Sequence, residues 1–344
     1  MNAAIPTTTA EPPVSTVHPE LHHYTTLPGL EGIWLSGHLR ASRHDNMNDA
    51  GELLQLRPLL VPIVRTHVLN VLRAEVERNP AIIQQITGRG GFQALAAREA
   101  EAFVDLLYRA TFGGQGEPGF ATPFLACFCT HSGDNEYERQ NGLLSQWRGY
   151  AGDGGVAIVF DASGLEQLLQ REYESAAFAH LGFADVIYAD DALRFEQRFS
   201  ELIAKADDGF LAALKGEDPG GKAIGALFTP LVAAAPRLKH RGYHEEREVR
   251  VIACPTSPST LEAFRTDPHY REDKPLKPVR QDKRPDGSKR HYIELFTGIP
   301  DGVRPHIKRI IVGPGPSQDE AARRAAELTA GRVPITKSAT PYRS

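Results

Sequence analysis

The chain has 344 residues, 41% of them hydrophobic, with a net charge of -4 and a pI near 6.4. That length admits one large domain or two ordinary ones, and the acidic balance removes any global electrostatic case for nucleic-acid binding. Three cysteines, Cys127, Cys129 and Cys254, are too few for a disulfide framework, and no Cys or His pairs stand at zinc-finger spacing.

Residues 1–20 are rich in Pro, Thr and Ala and read as a disordered leader. They lack the basic and apolar regions of a signal peptide. No apolar run approaches the ~18 residues of a membrane span. The expectation is a cytoplasmic protein with no membrane partner.

The ordered chain is expected from Leu21 onward as a single α+β domain. A short strand carries His23, Tyr24 and Thr25. A helix with Leu30, Ile33 and Trp34 on one face stops at Gly37, and Leu39–Ser42 returns as a strand. The polar run from Asp45 to Glu52 is a turn, with Asp49 and Glu52 spaced as a helix cap. Helical periodicity then fills a first insertion at about 53–118. Phe124–Cys129 and Val156–Phe160 are continuous apolar runs, as expected of strands inside a sheet. Between them, Asn141–Tyr150 reads as one or two helical turns, and Asp161 caps the next helix. Phe183–Tyr188 is a strand. A second helical insertion is expected at about 190–236, and Ser257–Asp286 as a long loop. Strands at 290–295, 307–312 and 333–335 and a helix at 318–330 complete the chain.

The charged stretch Arg241–Cys254 ends in a strand-like run, Val249–Ile252. In an extended strand, alternate residues share a face. Glu246, Glu248 and Arg250 would then stand in one row, with Val249 and Val251 opposite. Two neighbouring carboxylates need a compensating cation or ligand. Arg250 serves as that cation in a structural salt-bridge row. Alternatively, the row is a catalytic Glu-x-Glu beside a positioning Arg. No Walker motif, dinucleotide fingerprint, nucleophile elbow or His-Glu-x-x-His is present.

An ordered set of short motifs resembles the DUF2971 family, a bacterial family of unknown function. The set comprises His23-Tyr24-Thr25, Ser36-Gly37-His38-Leu39, Asn48-Asp49-Ala50-Gly51-Glu52, Cys127-Phe128-Cys129, Gln146-Trp147-Arg148-Gly149-Tyr150-Ala151, Gly155–Asp161, Glu246–Arg250, Ile310–Gly313 and the closing Ser338 with Pro341-Tyr342-Arg343. Ala50 stands where that family usually has Pro. The motif order is similar, more loosely, to ADP-ribosyltransferases. That second resemblance implies a central mixed sheet with helical insertions and NAD as co-substrate, with no metal. In it, Glu248 is the catalytic carboxylate and Glu246 its partner. His23, with Tyr24 and Thr25 nearby, anchors the ribose. Trp147 or Tyr150 stacks on nicotinamide, and Arg250 holds the acids or a phosphate. Asn48, Asp49 and Arg343 are further candidates. Such a transferase, or NAD glycohydrolase, would suit a bacterial toxin or anti-phage effector acting on a protein or nucleic-acid acceptor. The alternative is a non-catalytic nucleotide- or nucleic-acid-sensing module whose Arg148, Arg250 and Arg343 contact phosphate. A third, an enzyme on phosphorylated RNA ends, is disfavoured by the acidic pair.

Overall fold

The computed structural model describes residues 12–47, 51, 53–114, 117–131, 135–188, 193–205, 217, 222–264, 274–283, 287–299 and 303–341. The chain divides into two compact units. The first comprises residues 1–46, 124–186 and 242–344; the second comprises 47–123 and 187–241.

The first unit is built on a ten-stranded sheet. Its strands are β1 (Glu20–Thr25), β2 (Leu39–Arg43), β3 (Phe124–Cys129), β4 (Val156–Asp161), β5 (Phe178–Asp185), β6 (Glu248–Pro255), β7 (Arg280–Lys283), β8 (Lys289–Leu295), β9 (Ile307–Val312) and β10 (Ile335–Lys337). One path runs β7-β8-β2-β3-β1-β4-β9-β10, and β6 joins β3 to β5. β3 is the branch point. It pairs with β6 from Ala253↔Phe124 to Glu248↔Cys129, with β2 at Phe124 and Leu125, and with β1 at Cys129. Among the described residues its strands pair antiparallel except β9 with β10, so the sheet is mixed.

Each face has its own core. Leu21, Phe128, Ile158, Phe160, Val249 and Val251 point to one face, where helices Leu27–Ser36, Ala162–Ser175 and Gln318–Thr329 bury Leu30, Leu165 and Ala325. Tyr24, Cys129, Ala157, Val159 and Ile311 point to the other, under Leu143, Trp147 and Ala151. Strand alternation alone produces this division.

The second unit is helical, with long helices Arg57–Arg78 and Gly91–Phe112 packed together and further helices at Leu193–Lys205 and Lys222–Ala234. Gly91–Phe112 buries Leu95, Phe103, Val104 and Leu107 at helical spacing.

Two expectations change in the first unit. Residues 12–20 are not all leader: Val14–Val17 forms one helical turn with Val14 buried. Its Ser15 backbone N–H and hydroxyl both donate to Glu166. The expected loop at 257–286 contains helix Pro258–Phe264 and strand β7. The polar residues Arg280, Gln281 and Asp282 lack the apolar alternation that marks a strand, because β7 is largely exposed and, among the described residues, pairs with β8 alone.

Candidate functional site

The predicted Glu-x-Glu row is broken at Arg247. Glu246 ends a 3₁₀ segment, Arg241–Glu246, and β6 begins at Glu248. Between them Arg247 has φ 42°, a left-handed conformation that side-chain-bearing residues rarely take. Neighbours hold it there. Its carbonyl accepts from the Thr130 N–H and hydroxyl, both at 2.9 Å. Its guanidinium donates to both Glu138 oxygens, at 2.8 and 3.4 Å. Glu246 therefore leaves the strand row and instead accepts a 2.9 Å hydrogen bond from the exposed Tyr150 hydroxyl.

Glu248 and Arg250 do share a face. Arg250 Nε and Nη2 donate to Glu248 Oε1 and Oε2 at 2.7 and 3.0 Å. The guanidinium is 0% exposed and the carboxylate 5%. This bidentate geometry is the structural salt-bridge reading of the pair.

His23 lies on the opposite face from Glu248. Register places His22, not His23, in the Glu248 row: Glu248↔Cys129, Cys129↔His22 and His22↔Val159. His23 Nδ1 sits 3.0 Å from the Cys127 carbonyl, and its ring packs against Phe128. Burial pulls its pKa below the usual histidine value, against the Cys127 hydrogen bond, which raises it. Thr25 shares the His23 side. The expected ribose anchor is thus separated from Glu248 by the thickness of the sheet, because adjacent strand residues point oppositely.

Trp147 is a core anchor rather than a stacking platform. It is 2% exposed, and its indole N–H donates to the Asn141 carbonyl at 2.9 Å. The ring fills a slot that two glycines leave open. A Cβ on Gly142 would lie 2.7 Å from Trp147 Cζ2, and one on Gly313 would lie 2.8 Å from Cε3. Trp147–Ala151 forms a π-helical turn, which carries Tyr150 outward to Glu246. Asn48, Asp49 and Arg343 lie outside the described residues.

The Glu248 face opens into a cleft of about 410 Å³. Arg139, Arg247 and Lys308 bring cations to it, Glu20 brings a carboxylate, and His22 and His131 line it. Glu20 forms ion pairs with Lys308 at 2.9 Å and Arg309 at 2.8 Å. Burial alone would raise its pKa, but those two partners outweigh it and hold the carboxyl down at about 2. Arg139 has no carboxylate partner among the described residues. His22 is 1% exposed, and neither ring nitrogen makes a hydrogen bond. The Arg139 main chain lies alongside but outside hydrogen-bonding geometry, its carbonyl already accepting from Arg309 at 3.1 Å. The His131 ring stands edge-on to His22 at 4.1 Å. Burial, then the neighbouring His131 and Arg309, press the His22 pKa well below its usual value. His131 is pulled down to about 4 by burial first, with Arg247 and Arg309 adding to it against the opposing pull of Glu138. Among the described residues no group of three or more His, Cys, Asp and Glu can hold a metal. No helix among them is long and apolar enough to cross a membrane.

Residues 146–251 match the DUF2971 family model, a protein of unknown function. No curated protein and no solved structure matches the chain. The DUF2971 match takes in Trp147, Tyr150, Glu246, Arg247, Glu248 and Arg250. Of the cleft residues only Arg247 lies within it; His22, His131 and Arg139 come before it and Lys308 after it. The sequence pattern does not single out His22, His131, Arg139 or Lys308. They share no spacing, and only the sheet register brings them together.

Proposed function

We propose that the chain binds a small phosphorylated ligand, such as a nucleotide, in the His22 cleft, and that it works as a binding or sensing module. The observation that carries this reading is the His22 imidazole: buried, without a hydrogen bond, and facing a cleft rimmed by Arg139, Arg247 and Lys308. A buried polar group without a partner is unfavourable and is satisfied by a ligand that supplies one. The cleft volume falls within the range of small-molecule sites, and the excess of cations suits phosphate. Arg250, the phosphate contact expected from sequence, is bound to Glu248 and fully buried, so the cleft cations take that role.

NAD cleavage, by glycohydrolysis or ADP-ribosyl transfer, is the second reading. It is favoured by Glu248 lying in the His22 row, two strand spacings or roughly 10 Å away. A carboxylate there could stabilise an oxocarbenium-like centre. Against it stands the hold of Arg250 on both carboxylate oxygens. An acceptor, and any role as a toxin or anti-phage effector, belongs to this second reading.

Calorimetric titration of the full chain with NAD, ADP-ribose and AMP, alongside an assay of nicotinamide release, separates the two. Saturable binding without release is the expected result. Release that disappears in Glu248→Gln, with tryptophan fluorescence retained, establishes the enzyme reading instead. No binding of any of the three rejects both.

A further inference from the structure

We propose that the cleft receives the phosphate-monoester end of its ligand against His22, and that binding draws a proton from solvent onto that imidazole. This rests on the reading of the cleft as a site for a phosphorylated ligand.

The argument starts from the charges that face His22. On its own strand are Glu20 and Tyr24. Glu20 is already shared between Lys308 and Arg309, and the Tyr24 hydroxyl is buried and hydrogen-bonded. From β3 and the residue run after it come Cys129, whose thiol burial pushes up, and His131. From helix Glu136–Asn141 come Arg139, and Glu138, which is held by Arg247. Glu248 is held by Arg250, and at the mouth His18 meets Asp185 at 2.7 Å. Each of these carboxylates already has a cationic or histidine partner. Burial and the nearby cations hold His22 neutral.

A phosphate monoester supplies the missing counter-charge. At neutral pH it carries about -1.5 to -2 charges, with its second ionisation near pH 6. Against such a group a protonated imidazole donates a charge-assisted hydrogen bond. The pKa of His22 then rises on binding, and linkage requires proton uptake. A diester, with one charge per phosphate, offers less.

The proton goes to His22 rather than to His131. The Tyr24 hydroxyl accepts the Leu143 N–H at 2.9 Å, so its own proton points to His131 Nε2, 3.0 Å away. His131 Nε2 is thereby an occupied acceptor, and its Nδ1 carries the proton toward Glu138, 4.0 Å off. The hydrogen-bond network assigns this tautomer. His22 has both nitrogens uncommitted.

The test is calorimetry of AMP binding at pH 7 in buffers of different ionisation enthalpy. The dependence of the observed enthalpy on buffer counts the protons. The expected result is uptake approaching one proton per AMP, with affinity falling as pH rises from 7 to 8. Adenosine should show no uptake. His22→Asn should bind AMP more weakly and take up none. Lys308→Met, which leaves the imidazole intact, should weaken binding and keep the uptake. AMP binding without uptake, or uptake that persists in His22→Asn, overturns the inference while leaving the phosphorylated-ligand reading standing. Failure of AMP, ribose 5-phosphate and NAD all to bind removes both.

Discussion

Replacing Glu248 with alanine should destabilise the sheet unit by about 3–5 kcal/mol. The Arg250 guanidinium is 0% exposed and donates two hydrogen bonds, of 2.7 and 3.0 Å, to that carboxylate. Deleting one partner of a buried pair leaves the other charge desolvated and uncompensated, and that penalty sets the ~3–5 kcal/mol scale. Against a typical stability of about 5–15 kcal/mol, the loss is severe. The double variant Glu248→Leu with Arg250→Met removes both charges, and should recover wild-type stability or exceed it by about 1–4 kcal/mol. Urea unfolding followed by tryptophan fluorescence reads this unit selectively, since Trp34 and Trp147 are the only two tryptophans and both belong to it. A single variant that loses less than about 1 kcal/mol, or a double variant as weak as the single, would refute the argument.

Gly313→Ala should destabilise by about 1–3 kcal/mol, because its Cβ would meet Trp147 Cε3 at 2.8 Å with the ring already locked to Asn141; the same urea assay reads it. His131, held near pKa 4 when folded, gives up stability as pH falls from about 6.5 toward 4, so His131→Gln should flatten that limb of a stability–pH curve, leaving the part due to His22. Glu20, held at about 2, contributes stability above pH 4.5 that disappears as pH falls through 2; Glu20→Gln should remove an acid limb on the order of 3 kcal/mol in the same titration. Tyr150→Phe breaks an exposed hydrogen bond to Glu246, and its unfolding free energy in the same urea assay should match wild type to within about 0.5 kcal/mol.

The strands at Phe124–Cys129 and Val156–Phe160 were legible in sequence because continuous apolar runs bounded by turn residues permit few other structures. The helical character of both insertions was legible from periodicity. What faces what was not. His22 and His23 are equally good strand residues, and only the register with Cys129 and Val159 decides which one meets the Glu248 row. Alternation from Glu248 back to Glu246 assumed an unbroken strand, and the left-handed Arg247 ended it one residue short. Trp147 resembles a stacking platform in sequence. The slot that claims it is made by Gly142 and Gly313, and Gly313 is remote along the chain. The cleft is the extreme case, since its residues run from Val17 to Lys308 without a shared motif.

The branching of the sheet at β3 has a consequence for biosynthesis. Every residue of β3 except Cys127 is buried in the finished protein, and its partner stretch in β6, Glu248–Ala253, is translated far later. At about 5–20 residues per second, a ribosome takes roughly 6–25 s to travel from the end of β3 to the end of β6. For that interval the nascent chain carries Phe-Leu-Ala-Cys-Phe-Cys with one edge unsatisfied, and the segment has no charge and no proline to discourage pairing with a neighbour. Prematurely terminated products that stop short of Glu248 keep that edge permanently, and are expected in the insoluble fraction of a cell lysate.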